Sequence, residues 1–474
     1  MIDVTPFLDT LDRKTVAVLG LGASGVSTVR ALRKAGAGVI YGWDDKEDGR
    51  KQGEKAGATV TELSKDILAG CDVLVAAPGV PLNHPVPHSA VERARALNIP
   101  IVGDIEIFYR SNPDRPIIAL TGTNGKSTST TLITHILNAC GKKAVLAGNI
   151  GLPVLDMKLP PKKDGVIVLE LSSFQLDLCS TFSADIGVIL NLTPDHIDRH
   201  GTVNEYAMIK ESIFKGDGQA AVIGVDDEYC EAIYGRLKDS SNRKVIPISI
   251  QKQVDGGVCA IGGMLKDGMS CDAGEDWAEI GSLNNITKLH GAHNKQNAAA
   301  AYAVCRAMGL DSDAILEAIK TYPGLPHRQF PVRVINGVSY INDSKATNAE
   351  AAGKALACNH NIYWIVGGKA KEGGLNGLEI YKDAIKQAFL IGEAADDFAK
   401  WMDQYGIDYH KCSTLDKAVA QAHNMAQDGR GQPGGAGCVL LSPACASYDQ
   451  FQSFEHRGDV FTALVNALPE EGDA

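Results

Sequence analysis

Two glycine-containing loops, each directly after an apolar run of strand length, have the residue types that hold phosphate groups. The first is Gly20–Gly25 (GLGASG), which follows the run Val16–Leu19. Its glycines allow a tight turn, and the N-terminus of the helix predicted after it offers unpaired N–H groups to an anion. Asp44 and Asp45 end the next predicted strand, where an acidic residue would contact a ribose or a base. Taken alone, this pattern favours a dinucleotide enzyme, with tight helix–strand packing and no ligand as the alternative.

The second loop, Thr121–Thr128 (TGTNGKST), is the stronger phosphate-binding signal and follows the apolar run Ile117–Leu120. Consecutive backbone N–H groups of such a loop surround phosphate oxygens, while Lys126 adds a positive charge and the Ser127 hydroxyl can bind Mg²⁺. Leu120 stands where the GxxxxGK[ST] pattern has its first glycine, so the loop is a variant of that pattern. The sequence therefore predicts a nucleoside triphosphate site here.

Four further side chains in the middle of the chain could serve such a site. Glu170 ends one apolar strand and His196 follows another, where a carboxylate and an imidazole would hold the metal ion of a nucleotide triphosphatase. Asn294 and Asn297 lie three residues apart on one face of a predicted alanine-rich helix, and their amides would read the edge of a base. The alternatives are structural roles for Glu170 and His196, and helix capping by Asn294.

Three polar loops follow predicted strands in the last third of the chain, at residues 342–348, 367–374 and 442–447. Ligands of open parallel sheets bind at the carboxyl ends of strands, so the hydroxyl and ammonium groups of these loops would converge on a small anion. Solvated loop residues without a ligand are the alternative for each of them taken singly.

The composition excludes several other classes of protein. The chain has 474 residues, enough for about three domains, and 45% of them are hydrophobic, as in a folded globular protein. Its 46 Lys and Arg against 57 Asp and Glu give a net charge of −11, which argues against nucleic-acid binding. The eleven cysteines form no CxxC pair and so favour a reducing compartment. Neither a signal peptide nor a membrane helix is predicted, and we expect a cytoplasmic protein without membrane insertion.

Short apolar strands alternate with helical segments along the whole chain, which predicts an α/β protein built on parallel sheets. A polar, proline-containing break lies at residues 111–116 (SNPDRP) and predicts a domain boundary near residues 104–116. The three prolines of residues 322–331 mark the clearest linker. Residues 252–285 are rich in Gly, Asp and Asn and are predicted to form hairpins and loops.

Taken together, these blocks resemble the Mur ligases of peptidoglycan synthesis, almost from one end of the chain to the other. The resemblance is carried by GLGASG, AAPGVPLNHP, GDIEIF, TGTNGKST, GNIGLP, LELSSFQL, TPDHIDRH, GLPHR, INDSKATN and SPACASYDQF, in this order. It implies three α/β domains: a Rossmann-like N-terminal domain (1–104) for a UDP-linked substrate, a central P-loop ATPase-like domain (105–325) for ATP and Mg²⁺, and a Rossmann-like C-terminal domain (326–474) for an amino acid. Residues 252–285 carry no motif of the family that we can place.

The resemblance also implies an activity, that of an ATP-dependent ligase. Such an enzyme would add D-glutamate to UDP-N-acetylmuramoyl-L-alanine through an acyl phosphate, forming UDP-N-acetylmuramoyl-L-alanyl-D-glutamate, ADP and phosphate in cytoplasmic peptidoglycan precursor synthesis. These small molecules are the expected partners, and a monomer is expected. The alternatives are a nicotinamide-dependent dehydrogenase, a P-loop protein without amide chemistry, and a sister ligase that adds another amino acid or extends folate with glutamate.

The resemblance assigns roles to individual residues, all of which are expectations here. The UDP-linked substrate is expected at Gly22, Ser24, Asp44, Asp45, Lys46 and Asn149. ATP is expected at Gly122, Thr123, Asn124, Gly125, Lys126, Ser127, Thr128, Asn294, Asn297, Arg328 and Asp343. D-Glutamate is expected at Lys345, Thr347, Lys371, Ser447 and Phe454. Two Mg²⁺ ions are expected at Ser127, Glu170, His196 and a carbamylated Lys210, and the expected catalytic residues are Lys126, His196 and Lys210.

Four positions leave alternatives open. Without the family, Lys210 would be taken for a surface lysine on a helix, and His196 could act as the base for the attacking amine instead of as a metal ligand. Lys369 could replace Lys371 at the glutamate carboxylate. Tyr448 stands where close relatives often carry Leu or Phe, which could alter the wall of the pocket.

Overall fold

The structure is a computed structural model that describes residues 1–111, 114–240, 242–270, 276–371, 373–431 and 436–469. Within these ranges it contains three separate β-sheets, each built mainly from parallel strands, which confirms the α/β class predicted from the sequence. The first two sheets belong to one compact unit, Met1–Asn285 with Ala292–Tyr322, and the third belongs to another, Ile286–Gly291 with Pro323–Ala474. None of the helices in the described ranges combines the length and the apolarity that a membrane span requires.

The first sheet is fully parallel. Its strands are β1 (Thr15–Leu19), β2 (Val39–Trp43), β3 (Thr59–Val60), β4 (Val73–Ala76) and β5 (Ile101–Val102). The helices of this region are α1 (Thr5–Leu8), α2 (Ala23–Lys34), α3 (Glu47–Ala56), α4 (Lys65–Ala69), α5 (Ser89–Ala96) and α6 (Asp104–Arg110). The strand order is β3-β2-β1-β4-β5, so the direction of winding reverses between β1 and β4. Such a Rossmann-like sheet binds ligands at the carboxyl ends of the strands on either side of the reversal.

The second sheet joins a parallel part to an antiparallel edge. Its strands are β6 (Ile117–Thr121), β7 (Lys143–Gly148), β8 (Gly165–Glu170), β9 (Ile186–Ile189), β10 (Ala220–Gly224), β11 (Lys244–Ser249), β12 (Val258–Ile261), β13 (Met264–Asp267) and β14 (Ala278–Ser282). The helices are α7 (Lys126–Ala139), α8 (Ser173–Leu176), α9 (Ile197–His200), α10 (Val203–Glu211), α11 (Glu228–Ser240), α12 (Ala292–Ala307) and α13 (Ser312–Lys320). The strand order is β14-β13-β12-β11-β10-β9-β6-β8-β7. The antiparallel pairs β12–β13 and β13–β14 confirm the hairpins predicted within residues 252–285, of which 271–275 lie outside the described residues.

The third sheet is parallel except for one edge pair, β15–β16. Its strands are β15 (Phe330–Ile335), β16 (Val338–Asn342), β17 (Ile362–Gly367), β18 (Ile385–Ile391), β19 (Tyr409–Ser413) and β20 (Cys438–Leu441), and its helices are α14 (Ala349–Leu356), α15 (Ala395–Tyr405), α16 (Leu415–Asp428) and α17 (Phe454–Asn466). The strand order is β15-β16-β20-β17-β18-β19. Neighbouring residues of β17, Trp364 and Ile365, belong to different apolar clusters, because helices cover both faces of the sheet. The linker predicted at residues 322–331 runs directly into this sheet, because β15 begins at Phe330.

The helix α6 connects the first sheet to the second and ends just before the polar break at residues 111–116. α6 follows β5 after a single residue, and two acidic side chains of its first turn, Asp104 and Glu106, are buried. The Glu106 carboxylate accepts hydrogen bonds from the N–H and hydroxyl groups of Ser180 and Thr181, at 2.6–3.2 Å. The boundary range predicted at residues 104–116 thus contains α6, and the polar break at residues 111–116, of which 112 and 113 lie outside the described residues, comes after that helix.

Replacing Asp104 by asparagine is expected to remove a pH dependence of stability. Burial raises the pKa of Asp104 to about 6 from its ordinary 3.8, so between these values the folded protein holds a proton that the unfolded chain releases. Stability from this group is present at low pH and is lost as the pH rises from about 4 to about 6, a change of about 3 kcal/mol. In urea denaturation, Asp104→Asn should therefore exceed the wild type in free energy of unfolding at about pH 7.5 but not at about pH 4.

The control is Asp239→Asn on α11, where the side chain is exposed. In this variant, the free energy of unfolding should differ between the two pH values by as much as it does in the wild type. An equal gain of stability at both pH values in Asp104→Asn would contradict the assignment.

Candidate active site

The loop between β6 and α7 has a fixed shape, and it leads from the carboxyl end of β6 into the N-terminus of α7. Gly125 has a φ of +83°, and a Cβ at this position would collide with the amide oxygen of Asn297. The backbone N–H of Thr123 donates to the Asn191 carbonyl and that of Asn124 to Asn191 Oδ1, both at 2.9 Å. The N-terminus of a helix held in this way is suited to bind an anion.

Lys126, the first residue of α7, turns back into the loop. Its Nζ donates to the carbonyl oxygens of Gly122 and Thr123, each at 2.8 Å. Ser127 and Thr128 follow it in the first turn of α7, where both are buried. The loop thus combines a cation, backbone N–H groups and a hydroxyl, the set of groups that phosphate-binding loops use.

Glu170 lies beside this loop at the carboxyl end of β8, where its register partner on β6 is Leu120. The side chain is 2% exposed. Its Oε1 accepts a hydrogen bond from Asn149 Nδ2 at 3.0 Å, whereas Oε2 is buried and has no hydrogen-bond partner among the described residues. Because a buried carboxylate oxygen without a partner is costly, this oxygen is a candidate ligand for a cation.

Lys210 is buried, so the alternative of a surface lysine is wrong. The residue is 1% exposed and lies on α10, and its Nζ donates to Thr121 Oγ1 and to the Gly122 carbonyl, both at 3.0 Å. Burial, with the nearby positive charge of Lys126 as a second cause, lowers the pKa of Lys210 well below its ordinary value. The amine therefore tends to be neutral, and a neutral amine is a nucleophile.

Tyr206 connects the lysine helix to the phosphate loop, a role that the sequence reasoning missed. The ring lies 4.9 Å from Lys210 Nζ, and its hydroxyl is 3.0 Å from Thr123 Oγ1. Tyr206 precedes Lys210 by four residues, so the two share one face of α10, and this spacing is the signal that could have identified it.

His196 lies at the N-terminal end of α9 with about half of its side chain exposed. Its backbone has a φ of +53°, a conformation that is uncommon for a residue other than glycine and is concentrated at functional sites. The ring packs against Phe174, 4.9 Å away between centroids, and Nε2 is 3.5 Å from Asp195 Oδ2. In the part of the chain that the structure describes, no three His, Cys, Asp or Glu side chains are grouped so that they could hold a metal ion. Of the four predicted metal ligands, only Glu170 and His196 are of these residue types.

Asn294 and Asn297 share one face of α12, as the spacing predicts, and Asn297 Nδ2 donates to Asn294 Oδ1 at 3.0 Å. Asn297 is buried against Gly125 of the phosphate loop. The capping alternative for Asn294 is wrong, because α12 begins two residues earlier at Ala292. The amide face of α12 therefore lies next to the phosphate loop.

A cleft of about 590 Å³ lies at the carboxyl ends of β1 and β4. Five of the six residues expected at the UDP-linked substrate line it, namely Gly22, Ser24, Asp44, Asp45 and Lys46. The Asp44 carboxylate accepts the backbone N–H groups of Leu21 and Lys46, at 2.6 and 2.8 Å, and so it also shapes the first glycine loop. The sixth residue, Asn149, does not line this cleft and instead contacts Glu170 in the second sheet.

In the second unit, the three polar loops follow β16, β17 and β20, which are neighbours in the sheet, so their carboxyl ends meet at one edge. Asp343 is buried, and its Oδ2 accepts from Ser442 Oγ at 2.7 Å and its Oδ1 from the Gln329 N–H at 3.0 Å. Burial raises the pKa of Asp343 to about 7. Lys345 Nζ lies 5.6 Å from the Phe454 ring. The predicted D-glutamate residues Thr347, Lys371 and Ser447 belong to the same three loops, and Arg328 precedes β15.

Two contacts in this unit hold the loops together. Arg457 is completely buried on α17 and donates through Nη2 to the carbonyls of Ser344 and Cys445, at 2.8 and 3.1 Å. Lys369 forms a β-bridge with Ala446. Sequence reasoning missed Arg457, because an arginine in a charged helical stretch gives no sign of being buried. Tyr448, the position at which the sequence departs from close relatives, is 74% exposed.

The comparisons with known proteins agree with this arrangement. Two family models match the chain: the Mur ligase middle domain over residues 120–305 and the MurD-like N-terminal domain of Mur ligases over residues 14–103. Curated proteins match it at 42–47% identity over nearly its whole length. The chain therefore belongs to the Mur ligase family of ATP-dependent ligases, which confirms the resemblance seen in the sequence.

Two of these relatives carry the name UDP-N-acetylmuramoylalanine–D-glutamate ligase. That of Paramagnetospirillum magneticum is 47% identical over 468 residues and covers 98% of this chain and 99% of the relative. That of Brucella abortus strain 2308 is 45% identical, with 99% and 98% covered. Among solved structures, the UDP-N-acetylmuramate-alanine ligase MurC of Thermotoga maritima has a TM-score of 0.57 at 18% identity and covers 96% of this chain and 99% of that one, so the fold is shared.

Gly125→Ala is expected to abolish nucleotide binding and to leave the protein folded. Alanine at a φ of +83° costs about 1–2 kcal/mol, and its Cβ would meet the Asn297 side chain, so the loop must change shape. The matched control is Gly141→Ala at the end of α7, where φ is +86° and no described atom lies within 4 Å of the added Cβ. By calorimetry, only Gly125→Ala should lose affinity for an ATP analogue, although both variants place alanine at the same unfavourable φ. Equal affinities would contradict the role of the loop.

Proposed function

We propose that this protein joins D-glutamate to UDP-N-acetylmuramoyl-L-alanine and converts ATP to ADP and phosphate. The observation that carries the proposal is the packing of the phosphate loop against buried Lys210, in a chain whose full-length relatives bear the name of that ligase. The product is UDP-N-acetylmuramoyl-L-alanyl-D-glutamate, and the reaction belongs to cytoplasmic synthesis of peptidoglycan precursors.

An acyl phosphate intermediate allows an amide bond to form from a carboxylate. A free carboxylate is a poor acceptor, because its reaction with an amine would have to expel oxide or hydroxide. Transfer of the γ-phosphoryl group of ATP to one carboxylate oxygen of the L-alanyl end gives an acyl phosphate and ADP. The amine of D-glutamate then attacks the carbonyl carbon and loses a proton, and the tetrahedral intermediate expels phosphate.

The approach of the carboxylate to the triphosphate brings like charges together. Two unit charges about 4 Å apart repel by about 4 kcal/mol at an effective dielectric constant of about 20. Lys126, fixed by the carbonyls of Gly122 and Thr123, supplies the opposite charge at the loop. We assign ATP to Gly122–Thr128 with Asn294 and Asn297, while Arg328 and Asp343 are assigned to it by resemblance alone.

Two features of the loop region fit Mg²⁺. Glu170 Oε2 is a buried oxygen with no hydrogen bond from any described residue, and the Lys210 amine, when neutral, can add to CO₂ and release a proton to become a carbamate. Together with Ser127 and His196, these two residues would hold two Mg²⁺ ions. Bound Mg²⁺ would offset the charge of the phosphate oxygens.

The other two substrates are assigned to the first and the third sheet. The UDP end is assigned to the cleft of the first sheet, which five of the six expected residues line. D-Glutamate is assigned to the loops of the third sheet with Lys345, Thr347, Lys371, Ser447 and Phe454. The three domains are placed at residues 1–104, 105–325 and 326–474, and the enzyme is proposed to be a monomer.

Phosphate release with UDP-N-acetylmuramoyl-L-alanine tests the proposed function. We expect release with D-glutamate and at least about tenfold less with L-glutamate, L-alanine or diaminopimelate. Lys126→Ala should stop turnover, because the loop loses its ammonium group, and should still bind the UDP-linked substrate, since Lys126 does not line the cleft. Equal rates with all four acceptors would contradict the assignment of D-glutamate, and normal turnover by Lys126→Ala would contradict that of ATP.

A carbamate on Lys210 should be visible by ¹³C NMR after equilibration with ¹³C-labelled bicarbonate. Lys210→Arg should lack the signal and should lose turnover, because a guanidinium stays protonated and cannot add to CO₂. The control is Lys162→Arg, at a side chain that is 81% exposed. This variant should keep both the carbamate signal and the turnover of the wild type. A carbamate signal that survives in Lys210→Arg would place the modification elsewhere.

A further inference from the structure

Arg199 connects the helix that carries His196 to the wall of the cleft in the first sheet. We propose that Arg199 is a positioning residue that holds His196 in register with the bound UDP-linked substrate, an inference that rests on the proposed function. Arg199 belongs to the TPDHIDRH block, of which the proposed chemistry uses only His196.

The first contact of Arg199 reaches the cleft. Although it is an arginine, it is only 7% exposed, and its Nη2 donates to the Val80 carbonyl at 3.0 Å. Val80 lies in the loop after β4 and lines the cleft of about 590 Å³. On the other side of the guanidinium, Nη1 lies 3.5 Å from Asp177 Oδ2, an ion pair without a hydrogen bond. One side chain thus joins α9 to the cleft wall.

The second contact reaches His196. The Arg199 guanidinium lies over the Phe174 ring, 5.4 Å from its centroid. The same ring packs against the imidazole of His196 at 4.9 Å. Because the backbone of His196 is in a left-handed conformation, it needs support from its surroundings, and Arg199 and Phe174 supply it.

The far end of α9 is fixed by the same loop of the first sheet. A Cβ on Gly201 would lie 2.7 Å from His84 Nε2, so His84 packs directly against this glycine. The loop after β4 therefore contacts α9 both at Arg199 and just past its last residue. A displacement of the loop would move His196 together with the cleft wall.

Stability does not explain an arginine at this position. Arg199 Nε is buried and, within the described ranges, has no hydrogen-bond partner. An apolar side chain of similar volume often stabilises such an interior as well as an ion pair or better. A role in geometry, in which the forked guanidinium contacts Val80 and Asp177 at once, accounts for the residue.

The test compares Arg199→Met with Arg243→Met. Arg243 is 4% exposed and donates to the carbonyls of Ala184 and Lys215, at 2.7 and 3.0 Å, and it does not line the cleft. Both variants should remain folded, which urea denaturation measures. Arg199→Met should lose about 10–100-fold in kcat, because a misplacement of about 1 Å has this effect, whereas Arg243→Met should keep its kcat.

Substrate binding separates positioning from structural damage. The Kd of UDP-N-acetylmuramoyl-L-alanine, measured by calorimetry without ATP, and the KM for ATP should each change by less than about threefold in Arg199→Met. Arg199→Lys, which keeps the charge and one donor for Val80, should recover part of the kcat.

Equal losses of kcat in the two methionine variants, or an unchanged kcat in folded Arg199→Met, would overturn the proposal. If Arg199→Met fails to fold, an unchanged kcat in Arg199→Lys overturns it in the same way, and a reduced kcat with unchanged Kd supports it. If the wild type releases no phosphate, the proposed function is refuted instead. The Kd of the UDP-linked substrate, measured by calorimetry, would still show whether the cleft binds it, so the two failures are distinguishable.

Discussion

The burial of the Lys210 amine is the constraint on which the arrangement of the second sheet depends. Its two hydrogen-bond acceptors, Thr121 Oγ1 and the Gly122 carbonyl, are uncharged oxygens of the phosphate loop. An ammonium in this place would be desolvated without a formal counter-charge on either acceptor, so the neutral form is favoured. The position of α10 and the shape of the loop therefore determine each other, and Tyr206, one turn before Lys210, strengthens this coupling through Thr123.

The sequence predicts the central strands well, and the reason is physical. Strands covered on both faces are continuous apolar runs, so the run Ile117–Leu120 marks β6 (Ile117–Thr121), all of whose residues are buried. The short edge strands Thr59–Val60 and Ile101–Val102 were not predicted, because two residues cannot show a periodicity. The helix α6 was missed for another reason: its buried acidic residues Asp104 and Glu106 read as polar surface until their partners in the fold are known.

The phosphate loop could also be found from sequence, since its groups are consecutive in the chain. The residues that hold it could not, because their partners are remote: Asn191 lies 67 residues from Asn124, and Tyr206 lies 83 residues from Thr123. The first glycine loop shows a further limit. Asp44 closes that loop through backbone hydrogen bonds, so its carboxylate would be required there whatever ligand the cleft binds, and the motif by itself cannot choose between ligands.

The antiparallel edge of the second sheet has a consequence for how copies of the chain meet. β14 is the last strand, and its Glu279 forms an ion pair with Lys266 of β13, 2.7 Å apart. Charged side chains on an outer strand discourage an unrelated strand from adding to the sheet, which protects a wide sheet from aggregation at its open side. This role requires charge and tight turns but no particular chemistry, so the segment contributes to the domain without carrying a catalytic motif.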